Sequence, residues 1–335
     1  MNLNPYLASI VLMVNALFLS GCCSRANPEA LTSAPVMGKT SLRATFLGCT
    51  TVLLDDGETA ILTDGFFSRP CEIESVRRPI KPNREVIDQM LARAGIKKLA
   101  AVLVAHSHHD HALDSAYVAE KTDADLIGSK STRYIANGQG FPCSRFHVPK
   151  NGDTFEYKRF KITIIESPHS SHALFPGDIE KPLHSPAWIG QYHPGINYNF
   201  LIDHDGEKIA IIPSAGLISD RLKGQTANVV FLGIGTLGMQ TDAEISAYWK
   251  DTVTTMHAQL VIPTHWDNFF RPLSDPLQPM PWPIDDFKHT RKKIACLAAK
   301  ENATVEWAKP FATLYLPASQ AEKPVVSESG KPLAK

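Results

Sequence analysis

The sequence predicts an α/β fold from two recurring kinds of segment. Short apolar runs of strand length, such as 99–105, alternate with segments in which apolar residues recur at helical spacing, such as 85–94. The chain has 335 residues, which is enough for one large α/β domain or two small ones. Its 34 Lys and Arg balance 34 Asp and Glu. Because a long polyanion calls for a basic face, this balance argues against a nucleic-acid partner.

The N-terminal segment predicts export and lipidation. The apolar run at 7–19 is shorter than the roughly 20 residues of a membrane span and matches the hydrophobic core of a secretory signal. The letters LSGC at 19–22 resemble a bacterial lipobox, although no Lys or Arg precedes the run. We therefore predict a signal peptide at 1–21 and a membrane anchor through lipidated Cys22, at the outer membrane or periplasm of a host with two membranes. An uncleaved membrane anchor is the alternative, and it also places the domain outside the cytoplasm.

The elements of the domain follow a predicted tether at 22–40. Strands are predicted at 42–47, 50–54, 60–65, 99–105, 160–166, 199–203, 208–212 and 260–265, and helices at 85–94, 112–120, 242–257 and 284–300. Gly95 is a C-cap for the first helix, and Thr241 with Glu244 has capping-box spacing at the start of the third. The residues at 318–335 are polar and contain Pro, which predicts a disordered tail.

The strongest motif directly follows the apolar run at 99–105. The hexapeptide at 106–111, with the letters HSHHDH, places four imidazoles and a carboxylate within six residues. Zinc accepts both ligand types readily, whereas so many protonated histidines would repel one another. The carboxyl end of a strand is where open α/β sheets place their sites. The motif therefore predicts a metal site on this loop.

Other candidate residues also follow strands. Asp64 ends the strand at 60–65, Pro168-His169 follows the strand at 160–166, and His265 ends the strand at 260–265. In this order, with the hexapeptide, they resemble the metallo-β-lactamase superfamily over about two-thirds of the chain. The resemblance implies an αββα sandwich, two mixed β-sheets flanked by helices, at 41–317.

The resemblance also implies a ligand set. One zinc would be held by His106, His108 and His169, and a second by Asp110, His111 and His265. His172 is the alternative to His169. Asp64 would support a ligand imidazole or the loop backbone, unless it only forms a turn before Gly65, and Asp267 would support a ligand.

Position 214 departs from the superfamily pattern, because Ser214 stands where an Asp usually bridges two metals. Two outcomes remain open: a dinuclear site without that bridge, which we favour, or a single working metal. Iron or manganese also suits such N/O ligands. Cys49, Cys71, Cys143 and Cys296 have no metal-ligand spacing, and outside the cytoplasm they are candidates for disulfides.

These residues predict a zinc hydrolase. A metal-bound hydroxide, oriented by Asp110, would attack a phosphodiester, including those of lipids, or a cyclic ester or amide. The segments at 61–70 and 262–269 resemble the phosphodiesterase and lactonase branches more than the β-lactamases. Phe67, Arg69 and Trp188 are candidates for substrate contact, and His193 is a candidate donor to a developing oxyanion. A catalytically idle envelope lipoprotein and a zinc carrier are the alternatives.

Overall fold

The computed structural model describes residues 42–170, 175–216, 220–274 and 276–316. The predicted signal peptide, Cys22, the tether, His172 and the predicted tail lie outside these residues. Within them, no helix has both the length and the apolar character needed to cross a membrane.

The first sheet has seven strands and contains the N-terminal part of the domain. Its strands are β1 (Leu42–Phe46), β2 (Val52–Asp55), β3 (Ala60–Thr63), β4 (Ala101–Leu103), β5 (Asp125–Ile127), β6 (Phe146–His147) and β14 (Thr313–Leu316). Their spatial order is β14-β1-β2-β3-β4-β5-β6. The pairs from β14 to β3 are antiparallel, and those from β3 to β6 are parallel. The sheet is therefore mixed.

The second sheet also has seven strands and mirrors this arrangement. Its strands are β7 (Thr154–Tyr157), β8 (Phe160–Ser167), β9 (Asn197–His204), β10 (Glu207–Ile212), β11 (Val229–Gly233), β12 (Leu260–Thr264) and β13 (Thr304–Val305). Their order is β13-β12-β11-β10-β9-β8-β7. The pairs from β7 to β10 are antiparallel, and those from β10 to β13 are parallel.

Helices cover the outer faces of both sheets. They are α1 (Glu72–Arg77), α2 (Arg84–Arg93), α3 (His109–Ala112), α4 (Ser115–Lys121), α5 (Lys130–Gly138), α6 (Asp242–Trp249) and α7 (Phe287–Glu301), and a π-helical turn (Lys250–Thr254) continues α6. The predicted capping box is confirmed, because Thr241 and Glu244 each satisfy the other's backbone N–H.

Three hydrophobic cores follow from the alternation of side chains along the strands. Phe46, Phe160, Phe200, Phe231 and Ile262 meet between the sheets. The opposite faces pack against helices: Leu62, Val102 and Leu126 meet Ile87, Val118 and Ile135, and Val230 and Val261 meet Ile245, Trp249 and Ile294. The predicted αββα sandwich is confirmed.

Two predicted elements are shorter or broken. The strand predicted at 99–105 forms ladder pairs only over Ala101–Leu103, because the Ala105 N–H instead donates to Asp64 Oδ1, at 2.8 Å. The helix predicted at 112–120 is divided between α3 and α4. Asp114, at the start of α4, turns its carboxylate to the N–H groups of Phe67 and Ser68 instead of capping the helix.

Candidate metal centre

The candidate centre lies where the strand ends of both sheets meet. The six ligands predicted from sequence come together in two groups, and within each group the ligand atoms lie within 4.8 Å of one another. The first group contains His106, His108 and His169. The second contains Asp110, His111 and His265, together with Cys49, which sequence reasoning had set aside.

In the first group, ring nitrogens face one another. His106 Nε2 lies 3.1 Å from His108 Nδ1 and 3.1 Å from His169 Nε2. The other ring nitrogens of two of these residues face oxygen acceptors: His106 Nδ1 lies 3.0 Å from Asn197 Oδ1, and His169 Nδ1 lies 3.1 Å from the Ser170 carbonyl. Each Nδ1 therefore carries the hydrogen, which leaves a bare lone pair on Nε2.

This arrangement fits a metal ion. Ring nitrogens bound at 2.0–2.1 Å to a tetrahedral ion lie about 3.3 Å from one another. Lone pairs that converge at this spacing repel each other without a cation between them. The acceptors on the far side of each ring fix the tautomer that a metal ligand requires.

In the second group, Asp110 Oδ2 lies 3.4 Å from His111 Nε2 and 3.2 Å from His265 Nε2, and the two ring nitrogens are 3.1 Å apart. Asp64 is fully buried behind them. Its Oδ2 accepts from His111 Nδ1 at 2.9 Å and also from the Thr50 hydroxyl. Asp64 thus directs His111 Nε2 towards Asp110 and His265 and ties the histidine to the β1–β2 turn.

Burial and charge set the protonation of both groups when no ion is bound. Burial, with the neighbouring histidines, holds the pKa of His106 well below its usual value, and burial lowers the pKa of His169 to about 4. Although burial opposes ionisation of Asp110, the positive charge of His111 holds its pKa well below the usual range. Burial likewise opposes the charge on His111, but Asp110 and Asp64 raise its pKa to about 10. His106 and His169 are therefore neutral, and the second group contains an ion pair.

Two predicted substrate residues are corrected by the structure. Phe67 is 1% exposed and belongs to the core between the first sheet and its helices, so it does not wall a pocket. Arg69 does not hold a substrate anion, because its guanidinium forms a buried ion pair with Asp267 at 2.6 Å. The other oxygen of Asp267 accepts from the Cys49 N–H at 2.8 Å.

The remaining predicted residues, Ser214, His193 and Trp188, have different surroundings. Ser214 Oγ accepts from the Ser170 N–H at 3.0 Å, so it braces the loop that carries His169. His193 is half-buried, and its Nδ1 lies 2.9 Å from the Phe175 carbonyl. In the neutral ring, this contact leaves Nε2 as an acceptor, so the predicted donation to an oxyanion requires protonated His193. Trp188 is exposed.

Cys49 is the residue of the centre that sequence reasoning missed. It follows Gly48 in the β1–β2 turn, is completely buried, and places Sγ 3.8 Å from Asp110 Oδ2. Burial raises the pKa of its thiol well above the usual value. None of the disulfides considered from sequence forms in the structure, in which Cys49, Cys71, Cys143 and Cys296 are free. Like the predicted ligands, Cys49 lies shortly after a strand, but a lone cysteine has no ligand spacing that would single it out in the sequence.

Aromatic rings flank the second group. Phe269 lies 5.6 Å from His265 and 5.9 Å from His109, measured between ring centroids, and Phe270 stacks on His109 at 5.7 Å. His109 is the histidine of the hexapeptide outside both groups, and burial lowers its pKa to about 4. A neutral His109 therefore forms part of an apolar wall.

A separate cleft of about 870 Å³ opens near this edge. Two of its lining residues contact the segment between α3 and α4: Ser68 donates to Asp114, and Gln139 donates to the Leu113 carbonyl. The described residues that line it include no candidate ligand, but they do include the exposed cations Arg78, Lys81 and Arg84.

Residues 59–266 match the family of the beta-lactamase superfamily domain. The match covers more than half of the chain and includes every predicted metal ligand. The chain belongs to the metallo-β-lactamase superfamily. The predicted family is thus confirmed.

Individual relatives of this superfamily member are distant. A UPF0173 metal-dependent hydrolase from Heliobacterium modesticaldum is 25% identical over 236 residues, which is 68% of this chain and 84% of the relative. A possible metal-dependent hydrolase from Veillonella parvula has a TM-score of 0.52 at 14% identity, covering 83% of this chain and 100% of that one. The metallo-beta-lactamase fold protein YhfI from Bacillus subtilis has a TM-score of 0.50 at 14% identity, with 83% and 100% covered. The structural similarity establishes the fold.

Proposed function

We propose that this chain is a metal-dependent hydrolase that binds two zinc ions where the strand ends of the two sheets meet. The observation that carries the proposal is the convergence of ligand atoms. His106 Nε2 and His169 Nε2 meet in the first group, each opposite an Nδ1 that faces an oxygen acceptor, and His111 Nε2 meets the Asp110 carboxylate in the second. Imidazole and carboxylate ligands in groups of three or four suit zinc. The relative from Heliobacterium, described as a metal-dependent hydrolase, supports the same reaction class.

The chemistry divides between the ions and the chain. Divalent ions, when bound, lower the pKa of water and polarise a carbonyl or phosphoryl oxygen. Asp110 is ionised and belongs to the second group, with one oxygen directed at His111 and His265. Its carboxylate can orient a water molecule and accept its proton. Phe269 and Phe270 would exclude bulk water from one side of the second group.

Phosphodiesters are the substrate class that we propose. Arg78, Lys81 and Arg84 give the neighbouring cleft a local positive charge, although the chain as a whole is neutral. An anionic substrate would be attracted to that end of the molecule. The aromatic side of the centre would contact an apolar leaving group. The acylated glycerol of a lipid phosphodiester is a leaving group of this kind.

Export and lipid anchoring remain our proposal for the location of the enzyme. The apolar run at 7–19 and the letters LSGC at 19–22 support it. Metabolic labelling with a radioactive fatty acid tests it: Cys22→Ser abolishes the label if the proposal holds, and Cys23→Ser is the matched control. Label that persists in Cys22→Ser contradicts it.

Hydrolysis of bis(4-nitrophenyl) phosphate by the zinc-loaded full chain tests the enzymatic proposal. Turnover is expected to fall at least about 100-fold in His108→Ala, since a ligand is removed. His147→Ala is the matched control, because His147 is partly exposed and outside both groups. Turnover of lactones or amides, but not of the phosphodiester, overturns the substrate class. A folded, metal-filled chain that hydrolyses none of these favours the idle protein or the zinc carrier.

A further inference from the structure

We propose that Cys49 is a fourth protein ligand of the second metal ion, so that this site is closed by the chain while the first keeps an open position. The inference rests on the proposed metal centre and deepens it. It assigns a role to a buried cysteine on a turn between β1 and β2, far in sequence from the hexapeptide.

The spacing of the four side chains fits one tetrahedral ion. For zinc bonded to sulfur at 2.3 Å and to a carboxylate oxygen at 2.1 Å, the two ligand atoms are about 3.6 Å apart. Cys49 Sγ and Asp110 Oδ2 are 3.8 Å apart. The three other contacts among Asp110, His111 and His265 are 3.1–3.4 Å long, close to the value of about 3.3 Å for nitrogen ligands.

The backbone of Cys49 is clamped in place from both sides. Its N–H donates to Asp267 Oδ1 at 2.8 Å, and its carbonyl accepts from the N–H of His265 at 2.7 Å. Asp267 is in turn held by Arg69 at 2.6 Å. The cysteine and the histidine that would share the ion are thus fixed to each other through one backbone hydrogen bond.

Both residues also have unusual backbone conformations. Cys49 has φ of 49° and His265 has φ of 59°, in the left-handed region that few residues other than glycine adopt. Such conformations persist only where the surroundings enforce them. Here they turn the thiol of one residue and the imidazole of the other towards Asp110.

The charges of the centre favour a thiolate. Two divalent ions bring four positive charges into a buried site, whereas the imidazoles are neutral as ligands. Asp110 is the acid within the two groups, and Ser214, whose hydroxyl binds the Ser170 N–H, supplies no charge. A thiolate on Cys49 adds a second negative ligand. Because sulfur is a soft ligand, it also favours zinc over manganese or magnesium.

The consequence is a division of roles. A site with three protein ligands leaves a fourth position for water or substrate, as catalytic zinc sites do, whereas four protein ligands are typical of structural sites. His106, His108 and His169 therefore form the open site. Cys49, Asp110, His111 and His265 form the closed one.

Cobalt substitution of the metal-free full chain tests this inference independently of activity. A thiolate bound to Co²⁺ gives a near-ultraviolet charge-transfer band that imidazole and carboxylate ligands do not give. We expect the band in the wild type, its loss in Cys49→Ser, and its retention in Cys71→Ser, Cys143→Ser and Cys296→Ser. Cys49→Ser should also weaken binding of one of two ions by more than about 100-fold, the upper end of the effect of removing an outer-shell partner.

A second variant guards against misfolding of Cys49→Ser. It keeps Cys49 and replaces the other five of the six cysteines with serine. Retention of the band in this variant supports the inference by itself. Two cobalt ions bound without the band in the wild type, or a band lost when the other five cysteines are replaced, overturns it and leaves the hydrolase proposal standing. Failure to bind any metal overturns both.

Discussion

The guanidinium of Arg69 and the carboxylate of Asp267 form an ion pair 2.6 Å long, with side chains that are 1% and 0% exposed. Removing one partner of such a pair leaves an uncompensated buried charge. We therefore expect Arg69→Met to lower the free energy of unfolding by about 3–5 kcal/mol. Urea denaturation of the purified chain measures it.

The pair between Arg43 and Asp55 provides the control. It has nearly the same length, 2.7 Å, but its side chains are 41% and 30% exposed. Arg43→Met should therefore cost less than about 1 kcal/mol. If the two variants were equally stable and Arg69→Met only weakened substrate binding, the correction of Arg69 to a structural residue would be wrong.

Asp64 determines which nitrogen of His111 carries hydrogen, so its replacement should weaken metal binding without touching a ligand. Both carboxylate oxygens are used, one by the Ala105 N–H and the other by His111 and Thr50. Asp64→Asn has one acceptor oxygen for these donors. We expect zinc affinity to fall about 10–100-fold, measured by competition with a chromophoric chelator.

Asp205→Asn is the control for this change, since Asp205 lies on an exposed turn. Its zinc affinity should equal that of the wild type. An Asp64→Asn chain that binds zinc as tightly as the wild type, with an unchanged fold, would show that the contact with His111 does not tune the centre.

The contrast between predicted and observed residues has a physical cause. His106, His108 and His111 could be predicted because their ligand atoms are concentrated in one loop after a strand. Cys49 could not be predicted as a ligand, because a single cysteine shows no metal-ligand spacing and its partner Asp110 is 61 positions away. Arg69 was misassigned for the same reason, since its partner lies 198 positions away and only the fold reveals the contact.

The secondary structure shows the same limit. The buried strands β8, β9, β10 and β12 were predicted within a few residues, because continuous or alternating apolar runs identify them. Six strands were not predicted: β5, β6, β7, β11, β13 and β14. Of these, β5, β6 and β13 have only two or three residues, and β7 and β14 have at most one fully buried residue, so their pairing depends on neighbouring strands. In contrast, β11 is a fully buried apolar run that its own sequence indicates, and it was overlooked.

Asp114 makes stability depend on pH. Burial raises the pKa of this carboxyl to about 6, against the hydrogen bonds from Ser68 and Phe67, which lower it. In the unfolded chain its pKa is about 3.9, so the folded state binds the proton more strongly. The free energy of unfolding is therefore expected to decrease by about 3 kcal/mol as pH rises from about 4 to about 6. Above that pH, the contribution of Asp114 is constant.

The comparison of Asp114→Asn with the wild type isolates this effect, because other groups cancel. Asparagine does not titrate, so the variant should gain about 3 kcal/mol relative to the wild type between pH 4 and pH 7. Denaturation of both chains at several pH values provides the measurement. A difference that does not change with pH contradicts the raised pKa of Asp114.

The basic cleft offers the most direct connection between charge and substrate. Arg78 and Lys81 are exposed and line the cleft, so they act on a substrate through their field and not through the reacting atoms. Replacing both with Glu should raise KM for an anionic phosphodiester about tenfold, while kcat changes little, because binding before and in the transition state is weakened equally. The effect should diminish as salt screens the charges.

Lys97 and Lys98 supply the matched charge reversal, since both are exposed and line a different, smaller cleft. Their replacement with Glu alters the net charge by the same amount but leaves the cations beside the centre in place. KM should then remain within about twofold of the wild type, because these lysines do not line the cleft that contains Arg78 and Lys81, and salt screens exposed charges. An equal increase of KM in both variants would mean that total charge, and not the cleft beside Ser68, attracts the substrate.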